Sequence, residues 1–542
     1  MPNPKNYLRN KLIKIPLFIM IAVFFLLGLS KTCYSEHPYG DAFVASYIGD
    51  ARTFVPILAS DSASATIVHI VFNGLVKYNK NLELTGVLAE SWDVEDEGLT
   101  IIFHLRKDVK WHDGLPFTSG DVKFTYEKLI SPDVPTPYSG DFKAVKSLEI
   151  LDDYTLKVTY AESFSPGLSS WGMPIMPKHI LKHENLMDTA FARNPVGTGP
   201  YKFKRWISGE RIDLVSNQDY FEHRPYIDRY IYRVIPDTAT TFLELQMENI
   251  DWMSLTPLQY LRQTDTKNFK KNFRKFRYPI FSYTYMAYNL KDEKFKDKRV
   301  RQAINYAVDK DEIVKGVLLG LGNVCTGPFV PKSWAYNKNV KPFEYNPARA
   351  MELLRECGWE DRDKDGYLEK NGKIFEFTIL VNQGNDERKR VAEIIQKRLK
   401  DVGIKANIWV LEWAVFLNKF VDKKNFEALI LGWGLGLDPD NYDIFHSSKT
   451  KLGEFNFISY RNPEVDRLLL EGRREFDQKK RAEIYNKIHE IIYDDQPYLF
   501  LYVPDALVAV HKRFRGIEKA PIGIMHNFID WHVPTREVRY RR

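Results

Sequence analysis

Cysteine is scarce: three residues in 542. Cys33 follows the apolar N-terminal run, which leaves Cys325 and Cys357 for the remainder. That rules out a disulfide scaffold, and without a CxxC or Cys/His pattern no structural zinc site is indicated. One disulfide or two free thiols stay open at this point. Catalytic signatures are missing as well. No GxxxxGK[ST] phosphate loop occurs, and Gly197-Thr198-Gly199 and Gly434-Leu435-Gly436 do not build one. His183-Glu184 has no second histidine four residues on, which excludes a zincin helix, and no GxSxG nucleophile elbow is found. His112-Asp113, beside Trp111, reads as a satisfied polar turn. Asp361-Arg-Asp-Lys-Asp-Gly366 has the look of a calcium loop, but its twelfth position is Gly372 instead of a bidentate Glu. It reads as a polar turn between a helix and a strand, with no metal.

Runs of one charge are also missing. The formal net charge is +7, and five basic residues (Lys5, Arg9, Lys11, Lys14 and Lys31) lie in the first 35 positions with no acid. Taking those five away leaves +2, with both signs interspersed, so no nucleic-acid face is indicated. The first 35 residues have the anatomy of a secretory signal: a basic start, the apolar run Ile15 to Leu29, then small and polar residues. The run is shorter than the roughly 20 residues of a spanning helix. An uncleaved anchor or a lipid on Cys33 are the other readings, the second opposed by Lys31 close before the cysteine. The expected location is outside the cytoplasm, periplasmic or at the outer face of the cytoplasmic membrane.

What remains is too long for one core, so two or more domains are expected. From about 41 to 290 the chain reads as strands and turns: Thr100–Arg106, Thr155–Tyr160 and Tyr230–Ile235 are β-branched or aromatic runs bounded by Asp, Gly and Pro. Beyond 296 helices become long and punctuated. Asn346-Pro347 and Asn462-Pro463 each supply a cap and a first-turn proline, Gly358 closes the first of these helices, and Asp309 with Glu312 fits a capping box. Phe375, Phe377, Ile379 and Val381 alternate on one face of a strand. A helix from about Asp386 carries Val391, Ile394, Ile395 and Leu399 as its apolar stripe, and strands over 406–410 and 426–432 follow. This order predicts an α/β unit with a largely parallel sheet, whose ligands bind beyond the carboxyl ends of strands. The loop after 432 is therefore a place to look. Aromatic residues make up 14% of the chain, dense at 281–288 and 498–502. They serve either core packing or a pocket that accepts varied side chains.

Five blocks give this pattern a relative. Val87–Arg106, Trp111-His-Asp-Gly114, Asn194-Pro-Val-Gly-Thr-Gly-Pro-Tyr201 with Asp219-Tyr220 after it, Arg299–Asp309, and Asp438-Pro-Asp440 stand in order along the chain. Together they closely resemble the family 5 extracellular solute-binding proteins, the oligopeptide- and dipeptide-binding components of ABC importers. The resemblance implies a bilobal type II periplasmic-binding-protein fold, α/β in class, with an extra α+β domain. One lobe would gather 37–75, 197–283 and 504–542. The extra domain would span 76–196 and the second lobe 284–503. It implies a monomer that is not an enzyme, needs no cofactor, closes on a peptide and docks on membrane permease subunits.

By the same resemblance Trp413 and Trp433 line the pocket, Tyr138 reaches it from the extra domain, and Tyr283, Tyr285 and Tyr502 sit on hinge strands. Main-chain groups around Gly434 anchor the ligand. Peptide binders often place an Asp a few residues after the tryptophan equivalent to Trp433, to pair with the ligand's ammonium. Here Gly434-Leu-Gly-Leu437 follows and the next acid is Asp438. That departure, with His446-Ser447-Ser448, resembles the oligopeptide branch. The rivals are the same fold serving nickel chelates, haem, oligosaccharides or opines, and a secreted hydrolase with scattered catalytic groups.

Overall fold

The strand that organises the molecule is its longest. Tyr498–His511 is buried except at its middle, which fits the two aromatic and aliphatic runs, Tyr498–Val503 and Ala506–Val510, on either side of Pro504-Asp505. Its first half pairs antiparallel with Ser282–Tyr288, and its second half with Phe273–Pro279 and Trp252–Ser254. One strand thus belongs to both lobes. In the computed structural model, which describes residues 39–540, it joins a twelve-stranded sheet. Along that sheet lie Lys405–Leu411, Glu376–Asn382, Ala428–Gly434, Ser282–Tyr288, Tyr498–His511, Trp252–Ser254, Ala42–Tyr47, Arg229–Val234, Arg211–Ser216 and Tyr201–Ile207. The N-terminal signal reading lies outside the described residues. Among the described residues no helix is long and apolar enough to cross a membrane.

In the second lobe the strand–helix–strand order yields parallel pairing, as its crossover helix demands. Glu376–Asn382 runs parallel to both Lys405–Leu411 and Ala428–Gly434. The expectation of a largely parallel sheet stops there. Ser282–Tyr288 pairs antiparallel with Ala428–Gly434, because it arrives from the other lobe and no crossover helix constrains it. The helices start where their caps require. Asn346 Oδ1 accepts from Arg349 N–H at 3.0 Å, Asn385 from Arg388 N–H at 2.9 Å, and Asp309 from Glu312 N–H at 2.9 Å. The Asp309 box is only half made, since the Glu312 carboxylate turns to Arg398 at 2.7 Å.

A separate four-stranded antiparallel sheet, Ala89–Glu95, Thr100–Leu105, Thr155–Tyr160 and Val145–Asp152, forms the extra domain. It is not an independent body. One continuous apolar cluster runs from Phe103 and Trp171 in this sheet's layer to Phe43, Tyr230 and Trp531 of the first lobe. The second lobe fills its own clusters, one around Val300, Ile395 and Ile430, the other around Phe445, Ile488 and Tyr498.

Two of the sequence blocks meet at this junction. The Gly197 N–H donates to His112 Nδ1 at 3.2 Å, so the ring proton lies on Nε2 and is given to Gly199 C=O at 2.9 Å. Burial pulls the His112 pKa down to about 4, which keeps that neutral tautomer. The glycines are needed for closeness. A Cβ on Gly197 would lie 1.9 Å from Val71 C=O, and one on Gly199 2.5 Å from Ile70 C=O. Gly197→Ala should therefore cost about 2–3 kcal/mol, read as a lowered melting temperature. Gly316→Ala, with open space around its Cβ, should leave it unchanged or slightly higher.

Candidate functional site

Between the lobes lies a cavity of about 540 Å³, walled by three parts of the chain. The Ala428–Gly434 strand brings Leu431, Gly432, Trp433 and Gly434 to its carboxyl end, where an α/β sheet leaves a crevice. Trp433 donates from Nε1 to Tyr498 Oη at 3.3 Å and meets Phe455 edge-on, with centroids 5.3 Å apart. Trp413 opens a short helix capped by Glu412, whose carboxylate accepts from Ala414 and Val415 N–H at 2.9 Å. Its indole lies against Gly49 of the first lobe, where a Cβ would stand 2.8 Å from Trp413 Cδ1. Tyr138 enters from the extra domain, its hydroxyl donating to Ala59 C=O at 2.9 Å and its ring edge-on to Phe455. Around Gly434 there is open space.

Four of the residues expected at the site, Tyr138, Trp413, Trp433 and Gly434, thus share one cavity. Four do not. Tyr283 and Tyr285 are fully buried, because alternation along Ser282–Tyr288 turns them, with Ala287, into the second lobe's core; Ser282 faces the cavity in their stead. Tyr502 is 2% exposed and packs in the opposite cluster. Asp438 is bound in a two-pronged ion pair with Arg481, at 2.7 and 2.8 Å, and lines a smaller neighbouring recess. Its charge is already matched. Cys325 and Cys357 are free thiols, buried in different clusters. In the Asp361–Gly366 turn Asp361, Asp363 and Asp365 accept backbone N–H bonds from the loop itself.

The cavity also holds charges that sequence reasoning missed. Arg52 of the first lobe and Asp422 of the second form an ion pair at 2.6 Å across the gap, and both line the cavity. Arg388 is more telling. Its guanidinium donates to the neutral Asn382 Oδ1 at 2.9 Å, and among the described residues no carboxylate lies within ion-pairing distance of it. Burial pulls its pKa down, opposed by the nearby Tyr502 and Tyr285 and by the charge of the neighbouring Glu387 carboxyl. A signal was there: Arg388, Val391 and Ile395 fall on the same helix stripe, and a lone cation on an apolar stripe asks for a partner.

Two lobes joined by a shared strand around a cavity of aromatic walls, strand-end backbone and a guanidinium that makes no ion pair among the described residues define a solute-binding protein. Residues 83–454 match the family described as bacterial extracellular solute-binding proteins, family 5, and the chain belongs to that family. It is 37% identical over 505 residues to the oligopeptide-binding protein AppA of Bacillus subtilis, covering 91% of each chain. The structure of that protein in complex with a nonapeptide superposes with a TM-score of 0.88 at 35% identity, covering 92% of this chain and 100% of that one. NikZ of Campylobacter jejuni in complex with Ni(L-His) follows at 0.83 and 31%, covering 91% and 99%. DppA of Helicobacter pylori in complex with the peptide STSA gives 0.82 and 28%, covering 92% and 98%.

Proposed function

We propose that this protein captures oligopeptides in the inter-lobe cavity and delivers them to the permease of an ABC importer. The observation that carries this reading is the pairing of exposed strand-end backbone with Arg388. Backbone at Gly432–Gly434 can hydrogen-bond an extended peptide whatever its side chains, and the guanidinium takes a carboxylate, terminal or side-chain. Trp413, Trp433 and Tyr138 supply apolar walls around a space of the size ligands occupy. Hydrated gaps adapt to different residues. The AppA complex with a nonapeptide supports the same choice.

The chelate reading draws on NikZ. The cavity lining has no His, Cys or Met among the described residues, so a haem iron or nickel would take its ligands from carboxylates or from the solute itself. Mass spectrometry of solute released from the gently purified protein separates the two. A ladder of short peptides, and saturable retention of peptides from a tryptic casein digest without cleavage, is the expected result. A single small molecule or chelate would sink the peptide assignment, and turnover of the digest would point to a hydrolase.

A further inference from the structure

Beside the cavity, the second lobe also grips the extra domain through one protruding tip. The end of helix Pro463–Arg474 and the turn after it reach across the gap. Arg473, 5% exposed, donates to Asp440 of its own lobe at 2.7 Å, and to Asp141 and Gly140 C=O of the extra domain, the latter at 3.3 Å. Its guanidinium lies 4.0 Å from the ring centre of Tyr442. The Ser165 N–H donates to Arg473 C=O at 2.7 Å, and Arg474 pairs with Glu162 at 2.7 Å. Phe476 covers Gly98, at φ +91°, where a Cβ would stand 2.6 Å from the ring.

The extra domain shares its apolar cluster with the first lobe, whereas Leu468, Leu469 and Tyr485 around Arg473 belong to a second-lobe cluster. Contacts between them therefore join two bodies that the long Tyr498–His511 strand links. We propose that the Gly472–Phe476 tip is a latch that seats on the extra domain when the lobes close. Solute retention then depends on contacts no solute touches. The inference uses the same closure motion as the peptide reading.

The chemistry suits a contact that must also release. The ion pairs are of short reach, and Arg474–Glu162 is half exposed, so it adds little holding force. Asp141 enters a site that already contains Asp440 and Asp443, with Arg473 and Lys449 as counter-charges. Burial and those neighbouring carboxylates raise its pKa to about 7, so its charge is incompletely matched when seated. Tyr138, directly before the Ser139–Phe142 helix that carries Asp141, connects the latch to the cavity wall.

Glu162→Cys with Arg474→Cys, bridged by a short bis-maleimide, tests this, with each single substitution as control. Among the described residues the native thiols, Cys325 and Cys357, are buried, and the exchanged ion pair is superficial. The bridge should form, and once formed should slow release of bound casein-digest peptides at least about tenfold; formed before peptide is added, it should block uptake. Failure to bridge means the contact is not populated in solution, and unchanged exchange means it does not open with the lobes; either overturns the latch. If the unbridged protein takes up no peptide, the peptide reading fails instead. The latch is then judged by X-ray scattering, where the bridged protein must show a smaller radius of gyration than the unbridged one, and equality overturns it.

Discussion

Arg388→Met should weaken binding of a casein-digest peptide by about 3 kcal/mol, or roughly 150-fold. The guanidinium lines the cavity, hydrogen-bonds a neutral amide and has no carboxylate within ion-pairing distance among the described residues. A carboxylate arriving there gains a charge-assisted, two-pronged bond at a half-buried guanidinium, where it is stronger than in open water. Arg388→Lys should recover only part of the loss, because an ammonium cannot present the planar fork. The decisive measurement is a double cycle with the same peptide amidated at its C-terminus. Amidation and Arg388→Met should each cost affinity, and together little more than one alone. Fully additive losses would show that Arg388 does not hold the terminal carboxylate. Folding should be little changed, since a half-buried cation that makes no ion pair among the described residues is replaced by an apolar side chain of similar length; an unchanged or higher melting temperature separates this role from a structural one.

Arg513→Met should be the most damaging single change to stability, at about 3–5 kcal/mol of a total of roughly 5–15. Arg513 is 2% exposed and joins three distant segments. It donates to Asp251 at 3.0 and 2.7 Å, to Ala42 C=O at 2.8 Å, and to Asp41. Asp251 in turn accepts from Val44 N–H at 3.0 Å, and Asp41 from Tyr540 N–H at 3.1 Å. The change strands two buried carboxylates. Burial already raises the Asp251 pKa with Arg513 beside it, and removal of the cation raises it further. A carboxyl whose folded pKa lies above its unfolded value penalises folding above that pKa and releases the penalty as pH falls through it. The deficit in urea unfolding should thus be largest at neutral pH and shrink towards pH 5. A uniform deficit across that range would mean that lost packing, not stranded charge, is the cause.

Much of the fold was legible because it is written in short periods. The strand alternation of Phe375, Phe377, Ile379 and Val381, the Asn-Pro helix starts and the stripe Val391–Leu399 all appear where their spacing put them. The glycines of the Asn194–Tyr201 block stood out by composition, and the structure supplies the reason: a backbone approach too close for any side chain. The parallel sheet was over-extended, since pairing across the lobes follows no local crossover.

The site was less legible. Trp413 and Trp433 were found by resemblance, but Tyr283, Tyr285 and Tyr502, expected at the site by the same resemblance, are turned away from the cavity by strand geometry. Asp438 lost its free charge to Arg481, 43 positions on, and Arg388 faces the cavity in no ion pair among the described residues, which no motif announced. By itself the sequence determined the elements and their caps, because hydrophobic period and turn chemistry act within a few residues; the two-lobed plan followed from the resemblance of its blocks to the family. Only the tertiary structure decided which aromatic faces the cavity, which charge stays unmatched and where the lobes grip each other. Those outcomes depend on partners such as Asp141 and Arg473, more than three hundred positions apart, whose meeting is set by how whole layers pack.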